Sequence, residues 1–240
     1  MEKEQFFNKI SNQANQTNIQ LTDKQKEQFY LYMSLLLEWN DKINLTAIVD
    51  EEDIIKKHFI DCLTIYKYIE KNASLIDVGT GAGFPGIPIK IVKPDCKVVL
   101  LDSLNKRLNF LNDVIEKNKF DNIETVHFRA EEAGKNKMYR EKFDIATSRA
   151  VAPLNVLVEY LLPFVKIGGK CICMKGSNAK EEIENSKKAI SLLGGEIEEV
   201  EEFYLPDTDM ARSIIVIKKV SKTSEKYPRK AGTPSKEPII

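Results

Sequence analysis

At 240 residues, 42% apolar and 30% charged, the chain has the length of one large domain or two small ones and enough apolar content for a core, which excludes a disordered or collagen-like polypeptide. Its 36 basic residues balance 36 acidic ones, so no global field draws it to nucleic acid. The four cysteines (Cys62, Cys96, Cys171 and Cys173) form no Cys-x-x-Cys pair, and the start, MEKEQFFNKI, lacks the apolar stretch of a signal peptide. No run approaches the roughly 18 apolar residues of a membrane helix. A disulfide scaffold, a zinc finger and a membrane protein are therefore poor readings, and a cytoplasmic location is expected.

The neutral total hides an asymmetry. Residues 1–70 hold 8 lysines against 12 acidic residues, whereas residues 218–240 hold 7 basic residues against 2 acidic ones. Charge alone leaves the basic end open between a solvated tail and a phosphate-contacting patch.

In chain order, Phe29, Tyr32, Met33, Leu35, Leu36 and Trp39 are spaced by threes and fours, as in an amphipathic helix, with Thr22 or Asp23 placed to cap it. Ile55, Phe59, Cys62, Leu63 and Tyr66 predict a second helix, capped by Asp50, with Glu51, Glu52 and Asp53 at its positive end. From Ser74 the pattern changes to short apolar runs: SLIDV (74–78), KVVLLD (97–102), NIETVHF (122–128), FDIAT (143–147) and KCICM (170–174). Helical stretches separate them, which predicts a parallel sheet covered on both faces. After a helix over 179–193 come EIEEVEEFYL (196–205) and ARSIIVIKKV (211–220), joined by PDTDM. That link is too short for a parallel crossover, so the last two strands form an antiparallel hairpin. The same order of elements is seen in methyltransferases that use S-adenosylmethionine (SAM), an analogy of fold.

The segment Asp77-Val-Gly79-Thr-Gly81-Ala-Gly83-Phe-Pro85-Gly86 ends the first strand and opens a helix, with Pro85 near its first turn. Alternating glycines let main chain approach a ligand closely. Asp102 ends the second strand, where a carboxylate accepts the hydroxyl protons of a ribose. Gly81, Gly83 and Gly86 also satisfy the G-x-G-x-x-G dinucleotide fingerprint, so a nicotinamide enzyme is a rival reading. Against it stand the G-x-G-x-G spacing right after the strand and the absence of any tyrosine followed four residues later by lysine. A non-catalytic RNA-binding module is the second rival.

Some chemistry is missing. The position after the fourth strand reads Thr147-Ser148-Arg149-Ala150-Val151-Ala152-Pro153, without the Asn/Asp-Pro-Pro-aromatic loop that goes with exocyclic-amine methylation. Cys171 and Cys173 alternate along a core strand and read as structural, as does Cys62, so a cysteine nucleophile for carbon-5 methylation is not indicated. His58 and His127 read as structural histidines and not as metal ligands. A ring nitrogen such as guanine N7 carries no proton to remove and fits these absences.

The blocks DVGTGAGFPGIP (77–88), LLDSLNKRLNFL (100–111), RAEE (129–132), SRAVAP (148–153), GGKCICMKG (168–176) and KYPRKAGTPSKEP (226–238) resemble the RsmG (GidB) family, bacterial enzymes that make 7-methylguanosine in 16S ribosomal RNA. WNDKINLTAI (39–48) and HFIDCL (58–63) fit as well. The resemblance implies a Rossmann-like class I SAM-dependent methyltransferase. It would have a seven-stranded, mostly parallel α/β sheet, a C-terminal antiparallel hairpin and added N-terminal helices. The expected organisation is a helical section over 1–70, a methyltransferase core over 71–220 and a basic tail over 221–240 packed on the core. By the same resemblance Gly79, Gly81 and Phe84 line the SAM pocket, Asp102 holds the ribose, and the backbone at Ala130 and Glu131 reads the adenine. Arg149 sits where donor and base meet, as the catalytic candidate. Lys175, Arg212, Arg229 and Lys230 are the candidate contacts to RNA. The expected partner is 16S ribosomal RNA of the small ribosomal subunit, the expected state a monomer, with no metal.

Overall fold

The computed structural model describes residues 1–149 and 151–240; Ala150, within the block SRAVAP, lies outside the described residues. The chain opens with α1 (Lys3–Gln16) and α2 (Asp23–Ile43). Thr22 is the N-cap of α2 and closes a capping box with Gln25. Next come α3 (Glu51–Asp53), a π-wound stretch Ile54–Ile60 and α4 (Asp61–Leu63), with Asp50 Oδ1 accepting from the Asp53 N–H at 2.9 Å. The predicted second helix is thus present, but its middle is π-wound and Tyr66 falls in a separate 3-10 turn, Tyr66–Tyr68. The first helix, α1, falls inside the expected helical section over 1–70, although no separate periodic stretch marks it.

The sheet follows with β1 (Ser74–Val78), α5 (Gly86–Val92), β2 (Lys97–Asp102), α6 (Asn105–Asn118), β3 (Ile123–His127), α7 (Ala130–Ala133), β4 (Phe143–Arg149), α8 (Leu154–Leu161) and β5 (Val165–Lys175). Then come α9 (Ala179–Glu184), α10 (Lys187–Leu192), β6 (Gly195–Tyr204), β7 (Ala211–Lys219) and α11 (Thr233–Lys236). Strand order is β3-β2-β1-β4-β5-β7-β6. The first five strands pair in parallel; β7 runs antiparallel to β6, as their short link requires, and antiparallel to β5 as well. Two expectations shift. β5 begins five residues earlier than its apolar run, through a register shift between Val165 and Lys170. The helix over 179–193 divides at Asn185 and Ser186, where the Ser186 hydroxyl donates to the Glu182 carbonyl.

Alternate strand residues feed two cores. Leu75, Val98, Leu100, Ile172, Ile214 and Val216 join one with α1, α2, the 51–63 segment, α5 and α6. Val99, Leu101, Cys171, Cys173, Ile215 and Ile217 join the other with α8 and α10. The N-terminal helices therefore share a core with the sheet and are not a body of their own. Among the described residues no helix is long and apolar enough to cross a membrane.

Lys219 closes the end of β7 away from the strand carboxyl ends of the parallel sheet. It is fully buried, donates to the Leu162 carbonyl at 2.7 Å and to the Thr223 hydroxyl, and faces Glu141 at 3.5 Å. Burial pulls its pKa down to about 8, against the opposing pull of Glu141. Between pH 8 and 10.5 the unfolded chain then holds the extra proton, so stability rises with pH across that window, and below pH 8 the cost of the buried charge is fully present. Lys219→Met should remove this contribution, about 3 kcal/mol in all, so the stability difference between variant and parent in urea melts should change steadily from pH 8 to 10.5; a pH-independent difference would contradict it.

Candidate active site

The carboxyl ends of the parallel strands open into a cavity of about 1010 Å³, within the size range of cofactor sites. Its floor is the loop after β1. Gly79, Gly81 and Gly83 have φ of 69°, 60° and 95°, the left-handed region that glycine adopts without strain. The loop is shaped before any ligand arrives. Gly79 and Thr80 N–H groups donate to the Leu101 carbonyl at 2.8 and 3.1 Å, and the Gly83 and Phe84 N–H groups donate to the Thr80 carbonyl. Tyr32 of α2, fully buried, donates its hydroxyl to the Ala82 carbonyl. Asp77, also fully buried, accepts from the Thr80 hydroxyl at 2.7 Å and the Gly86 N–H at 2.9 Å. Burial pushes its carboxyl up to about 6, and its Oδ1 has no partner among the described residues. Pro85 is the N-cap residue of α5, one position before the first helical turn.

Asp102 lines the cavity and ties the two nucleoside motifs together. Its Oδ2 accepts the Gly81 N–H and its Oδ1 the Leu104 N–H, both at 2.9 Å, and Arg107 approaches Oδ2 at a loose 3.3 Å. A carboxylate offers about four acceptor sites; the two backbone bonds and one displaceable arginine leave room for a vicinal diol. The open main chain at Gly81, where an added Cβ would meet only the Gly79 carbonyl oxygen at 4.0 Å, suits close approach of a ligand. Ala130 and Glu131 begin α7 on the same rim, together with Phe128 and Arg129. This chemistry, bare main chain beside a ribose-type acceptor, fits SAM.

The opposite wall is built around Arg149, the last residue of β4. Its Nη1 donates to the Asp61 carboxylate at 3.0 Å and the Lys57 carbonyl at 2.9 Å, and its Nη2 donates to His58 Nδ1 at 2.9 Å. The guanidinium lies 4.7 Å from the Phe84 ring centre, and His58 stacks on the same ring at 4.4 Å. An arginine can only donate, so His58 Nδ1 is the acceptor and Nε2 carries the proton, which it gives to Thr46 Oγ1 at 2.8 Å. Burial first, and then the Arg149 charge, hold the imidazole neutral with a pKa of about 3. Thr46 is fixed in turn: Asn40 Oδ1 accepts the Leu45 and Thr46 N–H groups at 2.7 and 2.8 Å. Asp61 also accepts from Arg212 Nε at 2.8 Å, so one buried carboxylate bridges two arginines.

All the expected donor-site residues, Gly79, Gly81, Phe84, Asp102, Ala130, Glu131 and Arg149, line this one cavity. Phe84 does so from a nearly buried position and packs on Tyr32 and Phe59 as well, so it is a core residue first. The cations expected to meet RNA divide differently. Lys175 and Arg212 line the cavity, but Lys175 is bound to Glu182 at 2.7 Å and to the Ala152 carbonyl at 2.8 Å, and Arg212 to Asp61. Arg229 pairs with Glu159, a fully buried carboxylate that would otherwise stand uncompensated, and its side chain stays about a quarter exposed, 26%. Lys230 is exposed. Asp61, His58 and Thr46 carried no expected role at the site; the blocks WNDKINLTAI and HFIDCL contain them, and His58 and Asp61 lie three apart on one helical face.

A sequence model of the GidB family, described as rRNA small subunit methyltransferase G, matches residues 25–215. The chain belongs to that family. The curated Ribosomal RNA small subunit methyltransferase G of Acetivibrio thermocellus is 60% identical over 92% of this chain and 91% of its own length. The proteins of the same name from Oceanobacillus iheyensis and Clostridium novyi are 52% and 49% identical, each over 100% of both chains. The family is one of SAM-dependent methyltransferases. Solved structures agree at the level of fold. NSun6 from Pyrococcus horikoshii, solved with SFG, superposes with a TM-score of 0.55 at 16% identity, covering 68% of this chain and 52% of that one. P. horikoshii TYW2 in complex with MeSAdo gives 0.51 at 14% identity, covering 65% and 60%.

Two outcomes test this geometry. Asp61→Ala leaves two mostly buried guanidinium groups without their shared partner and should lower the unfolding free energy by about 3 kcal/mol in urea titration; a change within error would show that the bridge carries no stability. Asp102→Ala should weaken SAM binding by roughly ten- to a hundredfold in calorimetry, and undiminished affinity would remove Asp102 from the donor site.

Proposed function

We propose that the chain acts as a monomeric cytoplasmic enzyme that transfers the methyl group of SAM to N7 of a guanine in 16S ribosomal RNA of the small subunit. SAM, when bound, supplies an electrophilic methyl group. The observation that carries the choice of acceptor is the state of the titratable groups around the cavity. Among the described residues, each of the four carboxylates lining it is already engaged: Asp61 by Arg149 and Arg212, Asp102 by the glycine loop, Glu131 by the Gly232 N–H, and Glu182 by Lys175 and the Leu154 N–H. His58 is neutral, but its one lone-pair nitrogen faces Arg149. Cys62 is fully buried, and burial raises its thiol pKa. A site furnished this way suits an acceptor atom that has a lone pair and no proton to lose, and guanine N7 is such an atom.

The residues then work by positioning. Gly79, Gly81 and Asp102 hold the donor on rigid main chain. Arg149, fixed by its three partners, keeps N–H groups that among the described residues have no partner and that suit the guanine O6 beside N7. Phe84 supports both Arg149 and His58 from below. The base is reached outside its stack. Arg212 and Lys175 on the cavity wall and Lys230 outside it supply positive charge near RNA phosphates, and Lys230→Ala should flatten the salt dependence of subunit binding by about one unit of slope.

Incubation with radiolabelled SAM and small ribosomal subunits should place label in 16S RNA. Borohydride reduction followed by aniline should then cut the RNA at the modified nucleotide, because methylation at N7 weakens the glycosidic bond. Labelled RNA that resists this cleavage would overturn the N7 assignment, and unlabelled RNA would overturn the enzyme.

A further inference from the structure

The segment after β7 lies beyond residue 215, where the match to the family model ends, yet it is anchored more firmly than a solvated tail needs. Arg140 donates to the Thr223, Ser224 and Tyr227 carbonyls at 2.7 to 3.2 Å. Arg229 meets the buried Glu159 through both its side chain and its backbone N–H at 2.7 Å. Pro228 lies so close to Gly134 that an added Cβ there would come within 2.9 Å of the proline ring. Tyr227 and Pro234 are buried. These contacts bring the segment to one place. Gly232 and Ser235 line the cavity next to Ala130, Glu131 and Tyr160, and the Gly232 N–H donates to Glu131 Oε1 at 2.8 Å.

We propose that Gly232 and Ser235, held by the anchored segment 227–236, form a wall of the donor pocket and contribute to binding the nucleoside end of SAM. The proposal rests on reading Asp102, Ala130 and Glu131 as the nucleoside half of that pocket. The first argument is anchorage: the Arg140 contacts and the Arg229–Glu159 pair hold Gly232 and Ser235 at the cavity edge. The second is coupling: Glu131, only 7% exposed, is pinned through its carboxylate by the tail, which fixes the backbone that borders the pocket. The third is chemistry. Ser235 lines the cavity, and a serine hydroxyl can donate to or accept from an adenine edge or a ribose oxygen.

Two variants of the full chain separate the possibilities. The first ends at Ala231, which deletes Gly232 to Ile240 and keeps Arg229 on Glu159. The second is Ser235→Trp, which fills the pocket edge without deleting anything. Calorimetry would use SAM and 5′-methylthioadenosine, which lacks the amino-acid portion, and subunit association would be measured by sedimentation. The truncation should weaken both small molecules by about the same factor, roughly tenfold, with subunit association unchanged, and Ser235→Trp should weaken both as well. Unchanged SAM affinity in a truncated chain that still melts cooperatively overturns the proposal, as does weakened subunit association with SAM affinity intact. If the truncated chain does not fold, Ser235→Trp decides, and its undiminished affinity overturns the proposal. A parent protein that binds neither small molecule would instead refute the donor reading of the whole cavity.

Discussion

The carboxylate of Asp61 holds two arginines that reach it from different strands. Arg149 comes from the end of β4 and Arg212 from the start of β7, while Asp61 itself belongs to the helical segment packed over the sheet. Removing three charges from water is costly unless each is paired and hydrogen-bonded. Here the pairing is nearly complete, since Arg149 adds the Lys57 carbonyl and His58. The bridge therefore does more than join elements. It sets the direction of the guanidinium at the mouth of the cavity, and Lys57 and His58, which complete the pairing of Arg149, lie in a π-wound stretch, a form that often marks functional sites. If Asp61 moved, Arg149, His58 and the ring of Phe84 beneath them would all lose their reference point.

The facing wall, the one proposed to hold the donor, is organised on the same plan with main chain in place of charge. The glycine loop satisfies its own N–H groups from β2 and from Thr80, and Asp102 ties the loop to the strand beside it. Both walls of the cavity are thus tied by hydrogen bonds within the chain, which suits a reaction that depends on alignment more than on proton transfer.

Much of this was legible in the sequence, because its signals are local. β1 and β2 match their apolar runs to the residue, and the short PDTDM link gave the antiparallel hairpin. The glycine loop and Asp102 carry their chemistry in spacing. What was not legible depends on distant partners. Asp61 and His58 belong to the site only because Arg149 lies 88 and 91 positions later in the chain and folds back onto them. Arg229 reads as a surface cation until Glu159, 70 positions earlier, is found fully buried beside it. The helix α1 is not legible as a separate element for a different reason. Its buried stripe of Phe6, Ile10 and Ala14 places one apolar residue per turn in a polar segment, too narrow to stand out.

The arrangement of the larger core bears on how the chain matures as it leaves the ribosome. The N-terminal helices share a core with Ile214 and Val216 of β7, and Gln13 and Gln16 of α1 reach Asp207 in the hairpin turn. The apolar face of α1 meets α2 and the 51–63 segment early, as Phe6 against Tyr30 shows, but its polar tie to the hairpin forms only when almost the last strand has been synthesised. Final consolidation of this end of the chain therefore depends on contacts of very long sequence separation.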